Sequence, residues 1–453
     1  MNDAGPAAHR GTPSRRGLLR VLGKVFAASA AIGTTIGGGI LYTPGKIAAL
    51  LPNPWLYLGV WAFGGLNALL GATAFAELGA MIPQSGGPYP FARRALGEYA
   101  GFFVGYTQWI LDCAANAALL LLVGEYSCDL LPALGARAVP LAFAALAALG
   151  ALNWRGVRAG GRIQVLTTVA KTLALGAVAA AAFLLPKAAP QAAALAPPGG
   201  LGWAVAWILA MQGVIFTYDS YYCPIFFGEE LRDPGREIPR GIFRGLAVII
   251  PIYLLLNMAF LRVLPMARMA NEPFVGGAAA HVLFGAHGGQ IIRVIVIVSV
   301  LGTSNALVLM TARVLLAMGR DGLFARQATQ VNAGGTPTVA LLLSTLVTGA
   351  FLASGTFNAV LGVVSLLMAV NYLLVYLSLL VLRRREPAAP RPYRAWGYPW
   401  TSGAAILIGV VFVIGVALND RRNSMIAAVL LIGSYPLYRG TRRLFQPPAA
   451  PLR

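Results

Sequence analysis

The chain has 453 residues, 58% of them hydrophobic and only 11% charged, with a mean hydropathy of +0.71. A water-soluble domain could not bury that much apolar surface, so a soluble globular protein is excluded. The net charge of +20 falls in alternate loops between uncharged runs, which is the flanking pattern of membrane helices against anionic lipid rather than a nucleic-acid footprint.

In chain order, windows of about 20 apolar residues mark about twelve spans, at 25–50, 55–82, 97–130, 138–153, 162–186, 203–228, 240–264, 290–318, 338–354, 357–383, 402–418 and 423–439. No alternating strand pattern supports a β-barrel. Basic residues concentrate in one set of loops: Arg10 to Lys24, Arg93–Arg94, Arg155 to Arg162, Arg232 to Arg244, Arg320–Arg326 and Arg383 to Arg394. The intervening loops carry few, which predicts both termini on the cytoplasmic side. "SRRGLL" (14–19) resembles a twin-arginine export signal, but reads here as the positive flank of the first helix.

The first span contains "AIGTTIGGGILYTPG" (31–45), with Gly37, Gly38 and Gly39 at its middle. Each costs a helix interior about 1 kcal/mol against alanine. The triplet is either a close-packing face or a deliberate unwinding. Glu77, near the end of the second span, reads as an interface charge. Asp112 lies mid-way along the third span. Lys171, in the fifth, is nine residues past Arg162, about 13 Å deep at the helical rise. Intramembrane ionisable groups are functional candidates; the alternatives are a structural ion pair or a neutral buried lysine.

The sixth span is interrupted by Thr217, Tyr218, Asp219 and Ser220, with Pro224 following. Proline removes an amide donor and clashes with the preceding turn. Two disrupted segments, each opening a group of five spans, predict a 5+5 inverted-repeat secondary transporter with helices 1 and 6 broken at mid-membrane. Non-helical backbone survives at that depth only where protein or a water-filled cavity satisfies it. A break exposes amides on one side, suited to a carboxylate, and carbonyls on the other, suited to an ammonium or a cation. Two facing breaks make a socket for a zwitterion.

Other chemistries find no residues. Cys113, Cys128 and Cys223 have no paired spacing, and His9, His281 and His287 lie in tails or loops, so neither disulfide nor metal site is expected. "GLLRVLGKV" (17–25) lacks the spacing and strand of a phosphate loop. No nucleophile–base set supports an enzyme, no filter-like ring supports a channel, and no cofactor is implied. The proline-rich end "FQPPAAPLR" reads as disordered.

The same residues resemble the amino acid–polyamine–organocation (APC) superfamily, in its amino acid permease and L-type-transporter-like branch. "GTTIGGGILYTPG" (33–45) looks like the family's first-helix glycine motif. "FAELGAMIPQSGGPYPFARRALGEYAGFFVGY" (75–106) resembles the second-helix end and first cytoplasmic loop. "FTYDSYYCPIFFGEELRDPGREIPRGI" (216–242) is similar to the sixth helix and its acidic–proline loop. "GTSNALVLMTARVLLAMGRDGLFA" (302–325) resembles the eighth helix with its arginine. The matches keep order and spacing across 33–325.

The resemblance implies an all-α polytopic protein of LeuT-like fold. Its parts would be a basic tail (1–24), a first repeat (25–186), a second repeat (203–383), two appended helices (402–439) and a tail (440–453). It implies an amino acid held between helices 1 and 6. Thr34, Thr35, Gly37, Gly38 and Gly39 would surround the carboxylate, and carbonyls of Phe216, Thr217 and Asp219 would take the α-ammonium. Phe216 matches a gating aromatic. Tyr218, Tyr221 and Ser304, with nearby Thr303, would complete gate and pocket. Lys171 matches a lysine whose ammonium, in some relatives, sits where sodium-coupled cousins bind an ion.

The sequence departs from many relatives at Ser220-Tyr221-Tyr222, where a small residue precedes Trp-Asn, and at Gly38, which is often serine. The expected function is sodium-independent amino acid transport by alternating access across the inner membrane, as exchanger or, with protons as partner, symporter. Asp112, a candidate cation or proton site, and Asp219 also fit a cationic amino acid or polyamine cargo. A transporter-like sensor that binds without transport is the rival of another class. No obligatory partner subunit is expected, and Cys128 is read as a free thiol.

Overall fold

The computed structural model describes residues 17–185, 202–355, 357–419 and 421–445. The first part of the basic tail and the proline-rich end therefore lie outside the described residues. The first broken span is α1 (Lys24–Thr35) and α2 (Gly39–Leu50), bent by 41° at the glycines. There follow α3 (Pro54–Met81), the short amphipathic α4 (Tyr89–Leu96), α5 (Glu98–Leu130), α6 (Ala138–Trp154) and α7 (Val157–Leu184). The second broken span is α8 (Trp203–Tyr218) with a 3-10 turn at Cys223–Phe226. After it come α9 (Pro234–Val263), α10 (Met266–Ala270), α11 (Val275–Phe284), α12 (Gly288–Arg320), α13 (Thr338–Ser354), α14 (Phe357–Arg385), α15 (Trp400–Asn419) and α16 (Arg421–Phe445).

Seven of these stretches are long and apolar enough to cross a bilayer, the bent α1–α2 pair makes an eighth, and α6, α8 and α13 are shorter apolar helices. The chain is a polytopic, all-α membrane protein. In the sixth span, read over 203–228 with an interruption at 217–220, the α-helix stops at Tyr218, inside that interruption. Short helices α10 and α11 were not expected between the seventh and eighth spans. They lie against α2, where a Cβ on Gly45 would come within 2.2 Å of the Glu272 carbonyl oxygen.

Local sequence explains the elements that frame the site. α3 begins where the Asn53 side chain accepts the amides of Trp55 (2.9 Å) and Leu56 (3.2 Å), with Pro54 at the first helical position. α1 packs on α9 through small residues spaced four apart on both helices. A Cβ on Gly241 would meet the Ala27 side chain at 2.8 Å, and one on Gly245 the Ala31 side chain at 2.6 Å. α12 is buried on all sides from Gly302 to Gly319, with Thr303, Ser304, Asn305, Thr311 and Arg313 among its buried residues, as suits the central helix of the bundle.

The basic loops meet acids at one end of the bundle. Glu77 is fully buried there, taking Arg383 Nε at 2.8 Å, Arg391 Nε at 3.0 Å and the Ala395 amide at 2.7 Å. It is thus an interior clamp between α3 and the segment after α14, not an interface charge. Its three donors compensate the desolvation that made an interior position look costly.

Candidate functional site

At the first break the α1 hydrogen-bond ladder ends with Ile36 N–H to the Ile32 carbonyl (2.8 Å), and Gly37 N–H turns back to the Thr35 carbonyl (2.8 Å). α2 restarts at Gly39, with Leu41 N–H on the Gly38 carbonyl (2.9 Å). Residues 36–38 are therefore unwound, and the carbonyls of Gly33 and Ile36 leave the helical ladder. Lys171 on α7 collects them. Its Nζ donates to Gly33 O (2.6 Å), Ile36 O (2.7 Å), Ser299 O (3.0 Å) and Thr303 Oγ1 (3.3 Å), and the residue is 1% exposed. No carboxylate stands among these partners, so the ion-pair alternative does not describe this lysine.

The glycines at the break are not tightly packed. A Cβ on Gly37 would meet Thr303 at 3.5 Å, one on Gly38 would meet Leu122 and Tyr42 at 3.6 Å, and one on Gly39 would meet Thr217 at 3.5 Å. These are ordinary contacts with side chains, so the triplet is not a close-packing face. Gly33, one turn earlier, is: a Cβ there would lie 2.2 Å from Thr168 Oγ1.

The second break follows Tyr218. Asp219 is extended, and Ser220 takes a left-handed φ of 71°, unusual for a residue with a side chain. Its hydroxyl donates to Asp219 Oδ2 at 2.9 Å, and the Tyr372 hydroxyl donates to Asp219 Oδ1. Tyr253 on α9 joins the two breaks: its hydroxyl lies 2.8 Å from the Thr35 carbonyl and 3.1 Å from that of Thr217.

Between the breaks lies a cavity of about 530 Å³. Thr34, Thr35, Gly37, Gly38, Gly39, Phe216, Thr217, Asp219 and Asp112 all line it, so most residues singled out from the sequence share one space. Exposed Glu125 and half-buried Tyr42 mark its mouth, where Tyr42 stacks on Phe274 with ring centroids 4.7 Å apart. Phe216, 39% exposed, borders the cavity. The floor is aromatic: Tyr222 lines it and stacks on Phe75 at 4.4 Å, with Tyr372 edge-on.

Three expected pocket residues point elsewhere. Tyr218 is buried against Trp61 and Tyr253. Tyr221 packs on Phe75 behind the floor, and Tyr222, its neighbour, takes the cavity position. Ser304 is fully buried off the cavity, while Thr303 lines it. Of the expected ammonium-binding carbonyls, that of Thr217 lies 3.1 Å from the Tyr253 hydroxyl, which is nearer the Thr35 carbonyl, and that of Phe216 accepts the Asp219 amide at 3.3 Å. Lys171 does not line the cavity; it stands behind the break.

Sequence reasoning missed Tyr253, Tyr372, Gln108 and Asn371, and named Tyr222 only as a departure from relatives. Tyr253 and Asn257, four apart in an apolar run, are the signal that could have found the first. Below the floor the chain is sealed. Arg313 and Glu230 form a fully buried pair (Nη2 to Oε1 2.8 Å, Nε to Oε2 3.0 Å) beside the Phe227 ring. Leu22 and Leu231 pair as a short parallel bridge. Arg320 meets Glu229 at 2.7 Å. Among the described residues no histidine, cysteine or carboxylate cluster could hold a metal ion.

The amino acid permease family model matches residues 22–435, and the chain belongs to that family. It is 28% identical over 437 residues to the serine/threonine exchanger SteT of Bacillus subtilis, covering 94% of this chain and 98% of that one. It is 26% identical over 392 residues to the b(0,+)-type amino acid transporter 1 of Homo sapiens, covering 84% and 80%. It is 27% identical over 400 residues to the Asc-type amino acid transporter 1 of Mus musculus, covering 84% and 73%. The family and these relatives are transporters, not enzymes.

Proposed function

We propose that this permease carries α-amino acids across the inner membrane as a sodium-independent exchanger, by alternating access. The observation that carries the reading is the Lys171 ammonium held by Gly33 O, Ile36 O, Ser299 O and Thr303 Oγ1. Three carbonyls and a hydroxyl surround Nζ, four acceptors for the three protons of an ammonium. The Ser299 and Thr303 hydroxyls also reach the Ile36 and Gly33 carbonyls, both at 3.0 Å, and a shell this rich in acceptors favours the charged amine. A lysine that keeps its charge gives up no proton during the cycle, which favours exchange over proton symport. Likeness along nearly the whole chain to a serine/threonine exchanger supports the same choice.

In this reading the cargo's carboxylate meets the amides that open α2, beside Thr34, Thr35 and the glycine triplet, where a helix N-terminus favours an anion. Its ammonium meets the carbonyl end of α8 at Phe216, Thr217 and Asp219. Phe216 closes over it, and the outer part of the first broken span follows. Residues 25–186 and 203–383 act as the two inverted repeats, with 402–439 appended. With the basic loops and both termini cytoplasmic, the mouth at Glu125 faces outward, and the Arg313–Glu230 seal closes the inward path. No partner subunit is required.

The test is uptake of labelled amino acids into sodium-free proteoliposomes that are empty, preloaded with amino acid, or under an inward proton gradient. Uptake that needs internal amino acid and ignores the gradient is expected. Uptake driven by the gradient into empty vesicles would replace exchange by symport, and binding without uptake would make the protein a sensor.

A further inference from the structure

The cavity's lining is acidic with no base to match. Asp112, Asp219 and Glu125 line it, and among the described residues no lysine, arginine or histidine does. Asp112, which is buried, and Asp219, which is half-buried, line the same cavity, and like charges repel more strongly away from bulk water. A cation arriving in the cavity relieves that repulsion; a neutral ligand does not.

The two aspartates are not equivalent. Asp219 has both oxygens satisfied, by Tyr372 and by Ser220. Asp112 has Gln108 Nε2 on Oδ1 at 2.9 Å, but its Oδ2 is buried without a hydrogen-bond partner, and the residue is only 8% exposed. The backbone of α5 fixes its aim. Gln108, Leu111, Asp112, Ala115, Leu119 and Leu122 recur at helical spacing and form the wall facing the breaks. A buried carboxylate oxygen without a donor costs free energy that a ligand can return by supplying one.

The site reading above assigns the cargo's own carboxylate to the first break and its α-ammonium to the second. A further unfilled acceptor therefore addresses a further donor, carried on the cargo's side chain. A hydroxyl donor would satisfy one oxygen yet leave the charges uncompensated. We propose that Asp112 is a specificity-determining residue and that the preferred cargo is an amino acid with a positively charged side chain, an ammonium or guanidinium bonding Asp112 Oδ2.

This inference rests on the amino acid reading, and one ligand pair separates the two. Lysine and norleucine share a carbon skeleton and differ by the terminal ammonium. For the purified wild-type protein, lysine is expected to bind at least about tenfold tighter than norleucine, the change one charge-assisted hydrogen bond supplies. In Asp112→Asn the gap should collapse, with norleucine binding kept. Equal binding of the two by wild type, while neutral amino acids are exchanged, would overturn the cationic cargo and leave the transport reading intact. No binding or uptake of any amino acid would overturn both. If Asp112→Asn fails to fold, the wild-type comparison still decides. A lysine preference undiminished in a folded Asp112→Asn would remove Asp112 from the role.

Discussion

The two broken spans solve one problem with different chemistry. Both leave backbone carbonyls without helical partners at a depth where each would be costly. At the first break the chain is glycine, with no side chain to help, and the donors all come from neighbouring helices, as the Lys171 ammonium and the Ser299 and Thr303 hydroxyls. At the second, Ser220 in the break itself folds onto Asp219, Tyr372 from α14 reaches the same carboxylate, and the Tyr253 hydroxyl from α9 lies near the Thr217 carbonyl. The first break is therefore bare toward the cavity and pinned from behind. The second is furnished with side chains that face the cavity and its floor. Such a division suits a site in which one end offers amides and the other end reads the ligand.

The largest effect should come from the pin. Lys171→Ala takes the ammonium away from the Gly33, Ile36 and Ser299 carbonyls and leaves them only the Ser299 and Thr303 hydroxyls, at a cost of about 1–3 kcal/mol. Exchange should fall at least about tenfold, with a clear drop in thermal stability measured in detergent. Next comes the link between the breaks. Tyr253→Phe removes one hydroxyl lying near two carbonyls and should cost about 1–2 kcal/mol, read by the same unfolding assay. An unchanged melting temperature would mean that the breaks are held independently.

Glycine substitutions sharpen the comparison further. Gly245→Val pushes against Ala31 in the α1–α9 contact and should destabilise by about 1–3 kcal/mol. Gly38→Ala meets nothing closer than 3.6 Å, so it should leave the melting temperature nearly unchanged while weakening amino acid binding. If the two behaved alike, the triplet would be a packing face after all. The smallest effect is expected at Ser220. Ser220→Gly relieves a left-handed backbone worth about 1 kcal/mol but loses the hydroxyl on Asp219, so stability should move by less than that.

The breaks and the pin were legible in the sequence for physical reasons. Three glycines in a row, a polar cluster before a proline and a lysine far from any loop each violate what a lipid-buried helix allows. The errors have one common cause. Successive residues on a helix point about 100° apart, and a helix that is buried all round gives no clue to its rotation. Ser304 and Thr303 were thus both named, though only Thr303 lines the cavity. Tyr218 turned toward Trp61 instead of the cavity for the same reason. At Tyr221 and Tyr222 the chain runs in an irregular turn, where no period applies at all. Glu77 was misjudged because its partners Arg383 and Arg391 lie some three hundred residues on, a pairing that only tertiary structure reveals.

The central claim is that a protein side chain fills the cation position behind the first break. Its most direct test is the exchange rate of the Lys171→Ala variant beside wild type in sodium-free proteoliposomes preloaded with amino acid. The account predicts wild-type exchange without sodium and its near loss in the variant, with the variant still folded. Wild-type rates from Lys171→Ala would contradict it.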